Sequence, residues 1–169
     1  MTRQDFMFKW FLYGLGVLPV WIFETMILNR LPLFGVVPLL LPLAAIAVAV
    51  QEGAAAGAGF GLFVGLIANA VYPGSAGGMI LGLSVAGALS GAAAQYVLRQ
   101  NYLACLLCSA ATLVVLDGVR VVTHLIAGTS LGALLRVAGP EILWSLCWTL
   151  PVYGIFHLIS NKVGGSRLA

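Results

Sequence analysis

The chain has 169 residues, of which 62% are hydrophobic and 8% charged, and its mean hydropathy is +1.08. A soluble domain carries about a quarter charged residues, so this composition excludes an ordinary water-facing surface. At about 20 residues per crossing, six helices with tight connections would use nearly the whole chain. The net charge of +3 includes no basic run of the kind that binds nucleic acid.

The first apolar run, residues 8–28, has Trp10, Phe11 and Tyr13 near one end and Trp21 and Phe23 near the other. Such rings favour the headgroup level of a bilayer. The run has no small-residue cleavage site and is read as an uncleaved first span, kinked at Pro19. Glu24 lies near its end and is expected to reach toward the surface or toward another helix. Asn29-Arg30-Leu31-Pro32 makes a polar turn. Residues 34–50 contain Pro38 and Pro42 and predict a bent or short second helix. Gln51-Glu52-Gly53 reads as the next polar break, where water suffices for the Glu52 carboxylate.

From residue 53 to residue 98 no side chain is charged, and glycine recurs at four-residue spacing: Gly53, Gly57, Gly61, Gly65, then Gly74, Gly78 and Gly82. In a water-exposed helix glycine costs roughly 1 kcal/mol relative to alanine. In lipid the same spacing lets helices approach backbone to backbone. The spacing predicts a third helix over 54–71, a reversal at Tyr72-Pro73-Gly74-Ser75, and a fourth helix over 77–98. In the fourth helix the ladder continues through Ala86, Ser90 and Ala94, with Gly87 and Gly91 beside it. The two helices should form a hairpin with thin facing sides, and their small faces are the candidate packing and interaction surface. Asn69 continues the ladder beyond Gly65, as an amide bonded across helices or as a recognition group.

A fifth helix is predicted over 102–124, apolar to Leu116 and then bearing Asp117, Arg120 and His124 on one face. Charge within a span is costly and marks a candidate site. Either the helix ends near Asp117 and leaves these groups in the interface, or the Asp117 and Arg120 pair faces other spans, a partner or an ion path. Residues 129–138 suggest a short helix along the membrane surface, capped by Thr129 or Ser130. The sixth span, 141–159, opens on Glu141, where a negative charge suits the helix dipole, and should kink at Pro151. With six spans, Arg3, Lys9, Arg99, Lys162 and Arg167 fall on the side of the termini, against Arg30, Arg136 and, by its place, Arg120. That balance puts both termini in the cytoplasm.

Cys105, Cys108 and Cys147 sit in apolar sequence and read as packing residues, although the first two form C-x-x-C. His157 reads as a packed interfacial side chain. There is no G-x-S-x-G, H-E-x-x-H or phosphate loop, and two histidines with five acids are a poor supply for catalysis. The expectation is an all-α integral membrane protein, one domain over 1–169, non-enzymatic, with no cofactor, no metal and no small-molecule substrate.

Residues 42–120 resemble the rod shape-determining MreD family of bacterial membrane proteins. The resemblance rests on the Gly-rich segment from Gly57 to Asn69, the turn Tyr72-Pro73-Gly74-Ser75-Ala76-Gly77-Gly78, and Gly87-Ala88-Leu89-Ser90-Gly91. The family commonly reads Gly-Leu-Leu-x-Asp in the first motif, and this chain has Asn69 at that aspartate. The resemblance implies a scaffold of the cell-elongation complex in the bacterial inner membrane. It would associate with a bitopic MreC-like protein and, through it, with MreB filaments, a RodA-type glycosyltransferase and a penicillin-binding protein. It also implies a six-helix bundle similar to the substrate-binding subunits of energy-coupling-factor vitamin transporters. That kinship supplies an alternative function, vitamin capture, and a small ion-coupled carrier is a further one.

Overall fold

The computed structural model describes residues 3–30, 38–71, 78–96, 101–126 and 131–164, excluding the side chains of 3–6, 29, 123–124, 131, 133–138 and 162–164. The predicted reversal at 72–75, the cap at Thr129 or Ser130, and the side chain of His124 therefore lie outside the described residues. The described residues form seven α-helices, in order α1 Arg3–Met26, α2 Leu40–Glu52, α3 Ala54–Val71, α4 Gly78–Tyr96, α5 Tyr102–Ile126, α6 Leu131–Cys147 and α7 Thr149–Gly164. A short 3-10 turn, Leu28–Arg30, follows α1. No strand occurs among the described residues.

Helix α2 is the centre of the bundle. Its 13 residues, at 1.5 Å each, reach about 20 Å, short of a 30 Å hydrocarbon core. Every residue from Leu40 to Val50 is buried, as expected of a helix that is apolar on all sides. It packs against α1, α3, α4, α5 and α7. The prolines explain its length: Pro38 precedes the helix and Pro42 falls in its first turn, where no intrahelical N–H donor is required. The N–H of Leu39, just before the helix, donates instead to Ser145 Oγ at 3.0 Å.

The polar break expected at 51–53 is a single residue. Gln51 and Glu52 remain helical, and Gly53 turns the chain with φ +95°, its N–H donating to Ala49 O at 2.8 Å. A positive φ is open to glycine without steric cost. Because the reversal needs only Gly53, Glu52 stays on α2 and faces α1 instead of lying in a solvated loop.

α3 and α4 make the most extensive contact in the molecule. A methyl group at Gly57 or Gly61 would overlap the carbonyl of Gly87 or Leu83, one at Gly91 would fall on the Gly53 carbonyl, and one at Gly65 would lie 2.8 Å from Ile80 Cα. These pairs run in opposite order along the two helices, so the hairpin is antiparallel and in contact along its length. Ser84 Oγ adds a hydrogen bond to Ala58 O at 3.2 Å.

The last span departs from expectation. α6 begins at Leu131 and continues through Pro140, so the predicted surface helix and the start of the predicted sixth span are one element. The break falls at Trp148, three residues before Pro151. Pro151 has no N–H to give the Cys147 carbonyl, and Trp148 N–H bonds to Ser145 O, 3.0 Å away, in the tighter 3-10 manner. α1, by contrast, is helical on both sides of Pro19.

Among the described residues, five segments are long and apolar enough to cross a membrane: Met7–Met26, Ala54–Val71, Gly78–Tyr96, Tyr102–Val122 and Gly139–Asn161. Large apolar side chains such as Leu66, Leu81, Leu89, Val115 and Leu158 point outward from them. Only lipid suits such a surface, so the chain is a multi-pass membrane protein. Replacing Gly61 by leucine should cost about 1–3 kcal/mol by overpacking, whereas leucine at Gly59, where an added Cβ meets nothing within 4 Å, should leave stability unchanged. Unfolding of the two variants in detergent by titration with a harsher surfactant measures the difference; equal stability would reject the seam.

Candidate interaction site: a glycine seam and two ionic clusters

The candidate interaction residues separate into different surroundings. Gly57, Gly61 and Gly65 of α3 are buried against Gly87, Leu83 and Ile80 of α4, and Gly91 lies on Gly53. Gly82, assigned by its spacing to the same ladder, faces α5 instead, where an added Cβ would lie 3.1 Å from Leu116 Cδ2. Ser90 shares that side, its carbonyl 4.0 Å from Cys108 Sγ. Helix α4 therefore has two thin faces, one on α3 and one on α5, offset by a single residue. Gly78 is exposed with open space around it, and Asn69 is half-buried near the end of α3.

The first ionic cluster lies where α1 begins and α2 ends. Lys9 Nζ donates to Glu52 Oε2 at 2.5 Å, and the Tyr13 hydroxyl donates to Glu52 Oε1 at 2.6 Å. Tyr13 is fully buried, with its ring against Trp10, Phe60 and Phe156. This cluster ties α1 to the end of α2. Sequence reasoning missed it because the contacts join residues some 40 positions apart; the available signal was a lone acid following a long apolar run.

The second cluster brings Asp117 and Arg120 together with Glu141. Helix α5 does not end near Asp117 but continues to Ile126, leaving the Asp117 side chain only 6% exposed. Arg120 Nη1 is 3.9 Å from Asp117 Oδ1 and donates to both oxygens of Glu141 at 3.2 and 3.3 Å. Glu141 is thus more than a dipole partner: it joins α6 to α5 by a charge-assisted bond. One turn later Ser145 Oγ donates to Glu141 O at 2.7 Å and accepts the Leu39 N–H, linking the same segment to the start of α2. Glu24 is 2% exposed and so does not reach the surface. The opposing carboxylates and guanidinium explain how charges can be held inside the bundle, since an isolated one near a bilayer centre costs about 2.5–3.5 kcal/mol or more.

Other candidates remain apart. Cys105 and Cys108 are free and buried, and Cys147 is free and exposed. His157 stacks on Tyr153 at 5.5 Å. Among the described residues no three His, Cys, Asp or Glu side chains converge as a metal site. A groove of about 380 Å³ between α1 and α3 is lined by Trp10, Gly14, Ala55, Ala56, Gly59, Phe60 and Phe63, with no charged side chain.

Comparison with protein-family models, with curated proteins and with solved structures finds no match to this chain. Replacing Arg120 by leucine leaves two facing carboxylates without their guanidinium and should destabilise the bundle by about 1–3 kcal/mol, below the value for a fully buried pair because Arg120 is 45% exposed. Surfactant titration against the double variant R120L/E141Q checks it. Partial recovery in the double variant is expected, and equal loss in both would refute the assignment.

Proposed function

We propose that this chain is a non-enzymatic scaffold of the bacterial cell-elongation complex, an MreD-like partner of a bitopic MreC-like protein in the cytoplasmic membrane, with both termini in the cytoplasm. The observation that carries this reading is the resemblance of the segments Gly57 to Asn69, Tyr72 to Gly78 and Gly87 to Gly91 to that family. Gly57, Gly61 and Gly65 of the first segment and Gly87 and Gly91 of the third close the α3–α4 seam, so these positions are fold determinants and the outer surfaces are left for partners.

The polar groups support a scaffold over a carrier. Lys9, Tyr13 and Glu52 close on one another at one end of the bundle, and Arg120 and Glu141 do so at the other. Among the described residues, the long apolar stretch between them has no row of charged groups to pass an ion. Through the MreC-like protein the scaffold would meet MreB filaments, a RodA-type glycosyltransferase and a penicillin-binding protein, and so contribute to lateral wall synthesis. The groove between α1 and α3 falls in the size range of small-molecule sites, about 300–1,000 Å³, and favours the second reading, a substrate-binding subunit of the energy-coupling-factor type. Its lining of apolar side chains and glycines lacks the converging polar groups that fix a vitamin in place.

Coexpression with a tagged MreC-like protein, followed by detergent extraction and affinity capture, should retain this chain at a fixed ratio through washing. Absence of the pair, with a small molecule released on denaturing the purified protein, would move the assignment to the transporter subunit.

A further inference from the structure

We propose that the Asp117–Arg120–Glu141 cluster is a docking point for a transmembrane helix of another polypeptide that brings one lysine or arginine to Asp117. Two carboxylates, each 6% exposed, share one guanidinium here, which leaves a formal charge of −1 on the three side chains. The guanidinium is directed to Glu141, with hydrogen bonds to both of its oxygens. Asp117 has only the 3.9 Å ion pair, and its Oδ2 is buried with no hydrogen-bond partner. A buried carboxylate oxygen without a donor is the group that calls for a cation.

The helices packed on α5 do not supply it from their described side chains. α4 carries no charge over Gly78–Tyr96. The one charged residue of α2, Glu52, is bound to Lys9 at the opposite end. α6 contributes the acid Glu141, and α7 holds no described acid or base near this end. Glu24 of α1, at the same end, is a further acid. The side chains of His124 and Arg136 lie outside the described ones.

The surface beside Asp117 suits an apolar helix. Val114 is exposed three residues before Asp117, on the same flank as the exposed Gly118, where an added Cβ meets nothing within 4 Å. A neighbouring helix can therefore approach the α5 backbone next to Asp117, while Arg120 stays on Glu141. Asp117 lies five residues inside the end of the span at Val122, about 7.5 Å along the helix. The partner's basic residue should lie at a similar depth.

The test uses the full chain in vesicles of neutral phosphatidylcholine and a labelled leucine-alanine transmembrane peptide with a single lysine about five residues from one end. Energy transfer should show the lysine peptide associating at least about tenfold more tightly than its all-apolar counterpart, the scale expected for one desolvated charge pair. Asp117→Asn should abolish that advantage without lowering stability in detergent, and Gly118→Leu should weaken it with the cluster intact. Equal association of the two peptides, or an advantage that survives Asp117→Asn, overturns the proposal. Energy transfer between labelled copies of this chain that disappears in Asp117→Asn, with no effect on the peptide, overturns it in favour of a second copy as occupant. The peptide result does not depend on whether an MreC-like protein is captured, so failure of the scaffold reading and failure of this one are separable.

Discussion

Close contact between α3 and α4 is the constraint on which the arrangement of the other helices depends. In lipid no hydrophobic driving force presses helices together, since acyl chains are as apolar as leucine side chains; association comes from packing and interhelical hydrogen bonds. Gly53, Gly57, Gly61 and Gly65 against Gly91, Gly87, Leu83 and Ile80 supply that packing by removing the atoms that would hold the backbones apart. The hairpin so formed has one edge against α2 and another, through Gly82 and Ser90, against α5. Two thin faces on α4, one residue out of register, let a single helix pack closely on two neighbours.

The central place of α2 follows from that geometry and from its prolines. A helix about 20 Å long cannot cross a bilayer alone, but it is stable when other helices cover it on all sides. Its ends are held by polar contacts from other parts of the chain: Ser145 accepts the Leu39 N–H at one, and Lys9 and Tyr13 hold Glu52 at the other. These contacts place polar groups at the levels where the helix stops, which is where a short buried helix leaves backbone and carboxylate groups in need of partners.

Most charged side chains described within the bundle have assigned roles in joining elements. Lys9 and Glu52 link α1 to α2, and Arg120 and Glu141 link α5 to α6. Ion pairs of this kind add specificity of register more than net stability, because desolvation offsets much of the attraction. Asp117 stands apart: it adds charge to the second cluster without completing its hydrogen bonding. A helical bundle whose outer surface is largely apolar needs some such feature if it is to distinguish one neighbouring helix from another.

Local composition was enough to determine the solvent and the class of fold. Charge excluded from residues 53–98, glycine at four-residue spacing, and aromatic rings at the ends of the first run all report on lipid and on helices, because both are properties of short stretches of chain. The bounds of α3 and the thinness of the facing sides of α3 and α4 were legible for the same reason. Tertiary structure alone decided which of two adjacent small faces on α4 meets α3, because Gly82 and Leu83 differ by one residue and either stripe is thin enough. It also decided that α2 is a buried centre, that one glycine makes the α2–α3 turn, and that the last span breaks at Trp148 ahead of Pro151. From sequence Glu52 reads as solvated and Glu141 as dipole-stabilised, because their partners, Lys9, Tyr13 and Arg120, lie 43, 39 and 21 residues away. Pairing across such separations is set by how helices pack, and spacing along the chain carries no record of it.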